Sequence, residues 1–285
     1  MIIFIFNYFF HHTGTVDHNR KAHMKNKTAI ITGAYGAIGK AIAEKIASKG
    51  FNTVLIGRDK KKLQSTQKEI EHKTGNHHVR YEVVDLSRKQ SIIDFASRWS
   101  GPLHLLINNA ASSSKRRIET PEHIEMQFAT NVLGYFLMII HLIKFMKGQD
   151  DARIVNVASY WAGGLDLDDL EFKRRGYDND AAYRQSKQAN RMLTVAFAKQ
   201  LKQSGIAVNA CHPGDVNSKL SNDFGFGGHE SPDQGAATPV WVATDPLLKG
   251  VTGKYFENMS EKNCQFSKDH ASIERLYKIC NEMYQ

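Results

Sequence analysis

The sequence predicts an α/β fold, a doubly wound parallel sheet in a three-layer α/β/α arrangement built as a single domain. Three observations predict it. Apolar strand-like runs alternate with helical patterns from residue 28 to about residue 210 at the spacing of repeated βαβ units. A glycine-rich turn follows the first run directly and opens a helical pattern. No Pro/Ser linker, composition break or solenoid-period repeat divides the 285 residues, so the length that could hold two domains reads as one, over residues 24–285.

Met1 to Phe10 is almost wholly apolar, yet a bilayer span needs about 20 such residues, and no cation precedes the run as in a secretory signal. Residues 1–23 are expected to be a dispensable extension ahead of an internal start at Met24; the alternative is peripheral membrane association through residues 1–10. The strand runs then follow as Thr28 to Thr32, Asn52 to Gly57, Val79 to Leu86, Leu103 to Ala110, Arg153 to Ser159 and Ile206 to His212, with a late one at Val251 to Glu257. Between the first two, Ile38, Ile42 and Ile46 share one helix face, and Gly50 punctuates its end. From Ser260 to Gln285 the pattern is weakly amphipathic and carries no motif.

A hydrophobic share of 41% excludes a disordered chain. The net charge of +9 asks for an anionic partner. Cys211, Cys264 and Cys280 lack metal-ligand spacing and are an odd number, which places the chain in a reducing, cytoplasmic compartment. The pairs His11-His12 and His77-His78 are adjacent, so no metal is expected. Basic runs at Lys60 to Lys62, Lys115 to Arg117 and Lys173 to Arg175 accompany no nucleic-acid motif and read as solvated faces; no nucleic-acid partner is expected.

The strongest local signal is Thr32-Gly33-Ala34-Tyr35-Gly36-Ala37-Ile38-Gly39. Glycines there let the backbone turn tightly and approach a pyrophosphate, whose charge meets the free N–H groups of a helix N-terminus. At the end of the second strand, Asp59 stands where an acid would hold a free ribose hydroxyl, about 20 residues past the glycines. The neighbouring Arg58 would instead pair with a 2′-phosphate, Lys60 to Lys62 add positive potential, and Asp59 is equally explained as a helix N-cap. NADP(H) is therefore favoured over NAD(H).

Here the chain resembles the short-chain dehydrogenase/reductase family, with Ala37 in place of the middle glycine of its Thr-Gly-x-x-x-Gly-x-Gly pattern. Asp85-Leu86, Asn108-Asn109-Ala110-Ala111 and Pro213-Gly214 with Val216 and Ser218 also match, though Ala111 and Ser218 replace the usual glycine and threonine. The resemblance covers residues 27 to about 260. It implies a Rossmann fold, a site in which these three groups hold adenine, the adenine-side strand end and the nicotinamide carboxamide, and a homo-oligomer pairing through the helices that carry the Asn and Tyr positions.

Tyr183 and Lys187 form a Tyr-x-x-x-Lys pair that shares a helix face, preceded by Ser159 and Asn131 in the order of the family's Asn, Ser, Tyr, Lys tetrad. Reducing a carbonyl needs a proton donor, and a tyrosine of pKa about 10 exchanges its proton slowly at neutral pH. An ammonium at about 4 Å would lower it by about three units. Tyr183 is thus the expected general acid and base, with Lys187 tuning it and, by the resemblance, holding the nicotinamide ribose. Ser159 would polarise the substrate oxygen and Asn131 would hold a water linking Lys187 to solvent.

The insertion Asp166 to Arg175, with Arg58-Asp59, Ser186-Lys187-Gln188-Ala189-Asn190 and Gly253-Lys254-Tyr255-Phe256, is similar to the retinol dehydrogenase and WW-domain oxidoreductase-like branch. That similarity implies a lipophilic carbonyl or alcohol substrate. Phe224 and Phe226 among glycines in the Val216 to Gly235 loop suit either an apolar lid or a plain surface connection. The competing function is a dinucleotide-binding sensor or scaffold without turnover, which the filled tetrad opposes and Ala37 and Ala111 favour.

Overall fold

The computed structural model describes residues 26–284; the expectations for residues 1–23 lie outside them. Eight strands form one sheet: β1 Thr28–Thr32, β2 Asn52–Gly57, β3 Val79–Val83, β4 Leu105–Asn108, β5 Arg153–Val157, β6 Ala207–Cys211, β7 Tyr255–Glu257 and β8 Ser260–Lys262, in the order β3-β2-β1-β4-β5-β6-β7-β8. All pairs are parallel except β7 with β8. Every residue of β4, β5 and β6 is buried, because helices cover both sheet faces.

The helices are α1 Ala37–Ser48, α2 Lys60–Thr74, α3 Lys89–Arg98, α4 Gly134–Met146, α5 Asn179–Leu201, the short α6 Lys219–Asp223 and α7 Pro232–Gly235, α8 Ala237–Thr244 and α9 His270–Tyr284. Ile42 and Ile46 of α1, Leu63 of α2 and Val240 of α8 pack on one face against Ile31 and Leu55. Phe95 of α3, Phe136 of α4, Phe197 of α5 and Leu276 of α9 pack on the other against Ile30 and Leu106.

Several expected strands are shorter in the sheet. The runs ending at Leu86 and Ala110 end as strands at Val83 and Asn108; beyond them the Val84 N–H still bonds the Gly57 carbonyl (2.8 Å), while the Asn109 and Ala110 N–H groups bond the Thr32 hydroxyl. The late strand shrinks to Tyr255–Glu257 because Gly253 turns at φ +75° just before it. β8 is fully exposed and follows a tight turn in which Asn258 and Met259 both take positive φ, so no apolar alternation marked it. Helix α9, over the stretch without a motif, buries Ile273, Leu276 and Cys280 and sets Tyr277 against Phe136 (5.2 Å) and Phe197 (5.4 Å). It lies across α4 and α5, the helices through which the resemblance implies pairing. The stretch Phe128–Met146 is long and apolar enough to cross a membrane, but most of it is buried in this layer.

Candidate active site

The sheet order reverses between β1 and β4, and a crevice opens outside their carboxyl ends. Thr32 ties the two strands there: its hydroxyl accepts from the Asn109 N–H (2.8 Å) and the Ala110 N–H (3.0 Å), and the Asn109 side chain donates to the Thr32 carbonyl (3.0 Å). Fully buried, Thr32 works from behind the crevice. The crevice, about 510 Å³, is lined by Gly33, Tyr35, Gly36, Ala37, Ile38, Gly39, Arg58, Asp85, Leu86, Asn109, Ala110, Ala111 and Ser218, all expected. It also takes in Val84, Ser112, Ser113, Thr130, Lys219 and Leu220, which no motif marked.

This lining fits a dinucleotide. A Cβ on Gly33 (φ +65°) would meet Ala110 Cα at 2.8 Å, and one on Gly39 would meet the Gly33 carbonyl at 2.2 Å, so only bare backbone allows the turn. Among the described residues no side chain caps the N-terminus of α1 at Gly36, which leaves its first-turn N–H groups for an anion. At the far end Arg58 is exposed at the rim, and Lys62 Nζ lies 5.6 Å from the centre of the Tyr35 ring. Asp59 is the N-cap of α2, accepting from the Lys62 N–H at 3.1 Å. Asp85 accepts from the Ser87 N–H (3.0 Å) and hydroxyl (2.7 Å), which fixes the turn at the β3 end.

The tetrad residues lie beyond this crevice lining, on converging elements. Asn131 sits in a π-helical stretch, Phe128–Leu133, that leads into α4. Its side chain accepts from the Ser112 N–H (2.8 Å) and donates to the Ser112 carbonyl (3.1 Å) and the Ser186 hydroxyl (3.2 Å). Ser159 follows β5, and its hydroxyl accepts from the Trp161 N–H at 3.1 Å. Tyr183 and Lys187 project from α5, whose N-terminus Asp178 caps by accepting from the Ala181 N–H at 2.7 Å.

Burial acts on both titrating groups and drives each toward its neutral form. It pushes the Tyr183 hydroxyl above its ordinary value, opposed by a hydrogen bond with the Ser159 side chain, and it brings Lys187 down to about 7. The lowering of Tyr183 expected from an adjacent ammonium is therefore not found. Lys187 Nζ donates instead to the Val157 carbonyl at 2.9 Å, and burial is the main influence on Tyr183.

The Val216 to Gly235 loop contains α6 and α7 and lays aromatic rings over Tyr183. The Phe224 ring is 4.9 Å from that of Tyr183, stacks on Phe226 at 6.1 Å, and meets Trp161 edge-on at 5.7 Å. Trp161 also lies 6.1 Å from Tyr183; nothing in its sequence position signalled this. Pro213 and Val216 are buried beneath, Gly214 (φ +107°) leaves room for the Glu230 carboxylate, and Ser218 caps α6 in a reciprocal box with Ser221.

The short chain dehydrogenase family pattern matches residues 27–225. Retinol dehydrogenase 13 of Homo sapiens is 35% identical over 262 residues, which is 85% of this chain and 79% of that protein. An uncharacterized protein from Mycobacterium paratuberculosis superposes with a TM-score of 0.78 at 25% identity, covering 93% of this chain and 96% of the other. A short chain dehydrogenase from Burkholderia cenocepacia J2315, solved in complex with NADP, does so at 0.66 and 22% identity, covering 82% and 96%. The chain belongs to the short chain dehydrogenase family, in its retinol dehydrogenase-like branch, and is an NAD(P)-dependent alcohol/carbonyl oxidoreductase.

Proposed function

We propose that the protein interconverts a carbonyl and an alcohol on a lipophilic small molecule, with NADP(H) preferred and Tyr183 as the proton-transferring group. The carrying observation is the placement of Tyr183, within reach of the Ser159 side chain, beneath Phe224 and Trp161. NADP(H), when bound, supplies or accepts the hydride. The residues that would hold it are the first turn of α1 for the pyrophosphate, Asp85 and Leu86 at the adenine end, Arg58 and Lys62 at the 2′-phosphate, and Ser218 at the nicotinamide end; Pro213, Gly214 and Val216, outside the crevice lining, are assigned to that end by the family resemblance alone. The NADP bound by the Burkholderia neighbour supports the preference.

In reduction Tyr183 Oη gives its proton to the substrate oxygen, which Ser159 Oγ polarises; in oxidation Tyr183 takes the proton back. Lys187 Nζ, with a pKa brought to about 7, gains and loses a proton near neutrality and so stands poised to pass one on. The aromatic cover keeps water from this exchange and gives apolar contact area to the substrate. The experiment is NADPH oxidation, followed by absorbance, against a panel of aldehydes, ketones and quinones. Tyr183→Phe should abolish turnover while leaving NADPH binding and thermal stability intact; a fully active variant refutes the assignment, and NADPH binding with no turnover of any panel member by the parent chain supports a sensor instead.

A further inference from the structure

Arg191 lies one helical turn beyond Lys187 on α5, and the chemistry above does not use it. Its side chain is 7% exposed. The guanidinium donates to the main-chain carbonyl of Ser159 and lies 3.5 Å over the Tyr255 ring of β7, with the Phe266 ring centre at 5.6 Å. Glu257 Oε1, 3.8 Å away, is the oxygen that accepts from the Tyr255 hydroxyl at 2.6 Å. One planar cation thus joins α5 to the ends of β5 and β7. Its Nε has no hydrogen-bond partner among the described residues. For packing alone, an apolar side chain would avoid both that unpaired donor and the desolvation of a charge.

The group it holds is the Ser159–Tyr160 peptide. Ser159 Oγ is already fixed on one side by the Trp161 N–H and lies in hydrogen-bond reach of Tyr183. The tilt of that peptide therefore decides where Oγ points. Resting on the functional reading above, we propose that Arg191 is a positioning residue that clamps the Ser159 carbonyl and so aims the Ser159 hydroxyl at the substrate oxygen. A lysine cannot replace it, because the bond to the carbonyl and the stack on Tyr255 both need the planar fork.

The test uses the full chain with NADPH and decanal, a lipophilic aldehyde, on Arg191→Lys and Arg191→Met, each also in a Ser159→Ala background. Each single variant should lower kcat about 10- to 100-fold, as a slight misplacement of a catalytic group does, with KM for NADPH within about 2-fold. In the Ser159→Ala background the same substitutions should change kcat by less than about 2-fold, because the effect passes through Ser159. A full multiplicative loss there, or an unchanged kcat in Arg191→Met, overturns the proposal. Should both Arg191 variants fail to fold, Tyr255→Leu, which removes the ring platform, is judged by the same two criteria. An unchanged kcat in Ser159→Ala alone, or no turnover of decanal or of any other panel member by the parent chain, instead overturns the functional reading.

Discussion

Lys187 Nζ donates to the Val157 carbonyl at 2.9 Å in a site where the lysine is 2% exposed. Burial brings its pKa from 10.5 to about 7, so the unfolded chain binds more protons than the folded one between those values. The cost of burying the ammonium is fully present below about pH 7, shrinks as pH rises, and is absent above about pH 10.5. Its size is about 5 kcal/mol at 1.36 kcal/mol per pKa unit. Lys187→Met removes that cost but leaves the Val157 carbonyl with only the longer bond from the Tyr135 hydroxyl (3.4 Å), at about 1–3 kcal/mol. The variant, without cofactor, should be about 2–4 kcal/mol more stable than the parent at pH 6 and no more stable at pH 10.5, while losing activity. Urea midpoints at pH 6, 8 and 10.5 check this, and a stability difference that does not change with pH sinks it.

The glycine-rich turn separates two neighbouring glycines sharply. A Cβ on Gly39 would meet the Gly33 carbonyl at 2.2 Å and Asn109 Nδ2 at 2.6 Å, whereas one on Gly36 meets nothing closer than the Gly33 carbonyl at 3.3 Å. Gly39→Ala should therefore lose about 3 kcal/mol and weaken NADPH binding more than about 10-fold, because backbone must move. Gly36→Ala should stay within about 1 kcal/mol of the parent. Thermal unfolding and NADPH fluorescence titration of both variants decide it; equal effects would remove the steric argument.

Arg58 is exposed at the rim of the crevice, and Asp59 beside it is engaged at the N-terminus of α2. With the acid so occupied, the guanidinium is the group available to a 2′-phosphate. Arg58→Ala should raise KM for NADPH about 10-fold or more, the worth of a charge-assisted hydrogen bond, and KM for NADH less than about 2-fold. Equal changes for the two cofactors would refute Arg58 as the group that selects the 2′-phosphate.

Much of this site was legible because its signals are local: the Thr32 to Gly39 turn, and the order Asn131, Ser159, Tyr183, Lys187. What was not legible depends on neighbours distant in sequence. The shortening of β3 to Val83 and β4 to Asn108 is set by where partner strands stop pairing. Trp161 and Arg191 gain their roles from Phe224 and Tyr255, more than sixty residues further along the chain. The neutral tendency of Tyr183 and Lys187 follows from burial, which spacing alone does not reveal. Helix α9 looked featureless because its few apolar residues have meaning only against α4 and α5.

That packing bears on assembly. With Leu276 fully buried and Tyr277 wedged against Phe136 and Phe197, α9 already covers the face formed by α4 and α5. A second copy could pair there only after α9 left, exposing its apolar contacts to water. Light scattering on the purified chain should therefore give the mass of one copy, 32.1 kDa. A mass of twice that, lost on substitutions in the exposed side of α9, would show that copies meet over α9 itself.

Phe224 supplies the last test, because it separates a lid from a mere surface connection. Its ring lies 4.9 Å from that of Tyr183 and 5.7 Å from that of Trp161, and Phe226 stacks on it at 6.1 Å. The same segment begins at α6, whose Lys219 and Leu220 line the cofactor crevice, so the ring sits where cofactor and substrate sites meet. A long apolar substrate that lies against this ring loses its contact in Phe224→Ala, a loss of about 1.5–3 kcal/mol for a buried Phe, whereas a short one never reaches it. The ratio of kcat/KM for decanal to that for propanal should fall about 10-fold or more in the variant. Equal losses for both aldehydes would mean that Phe224 supports the shape of the site without contacting the substrate.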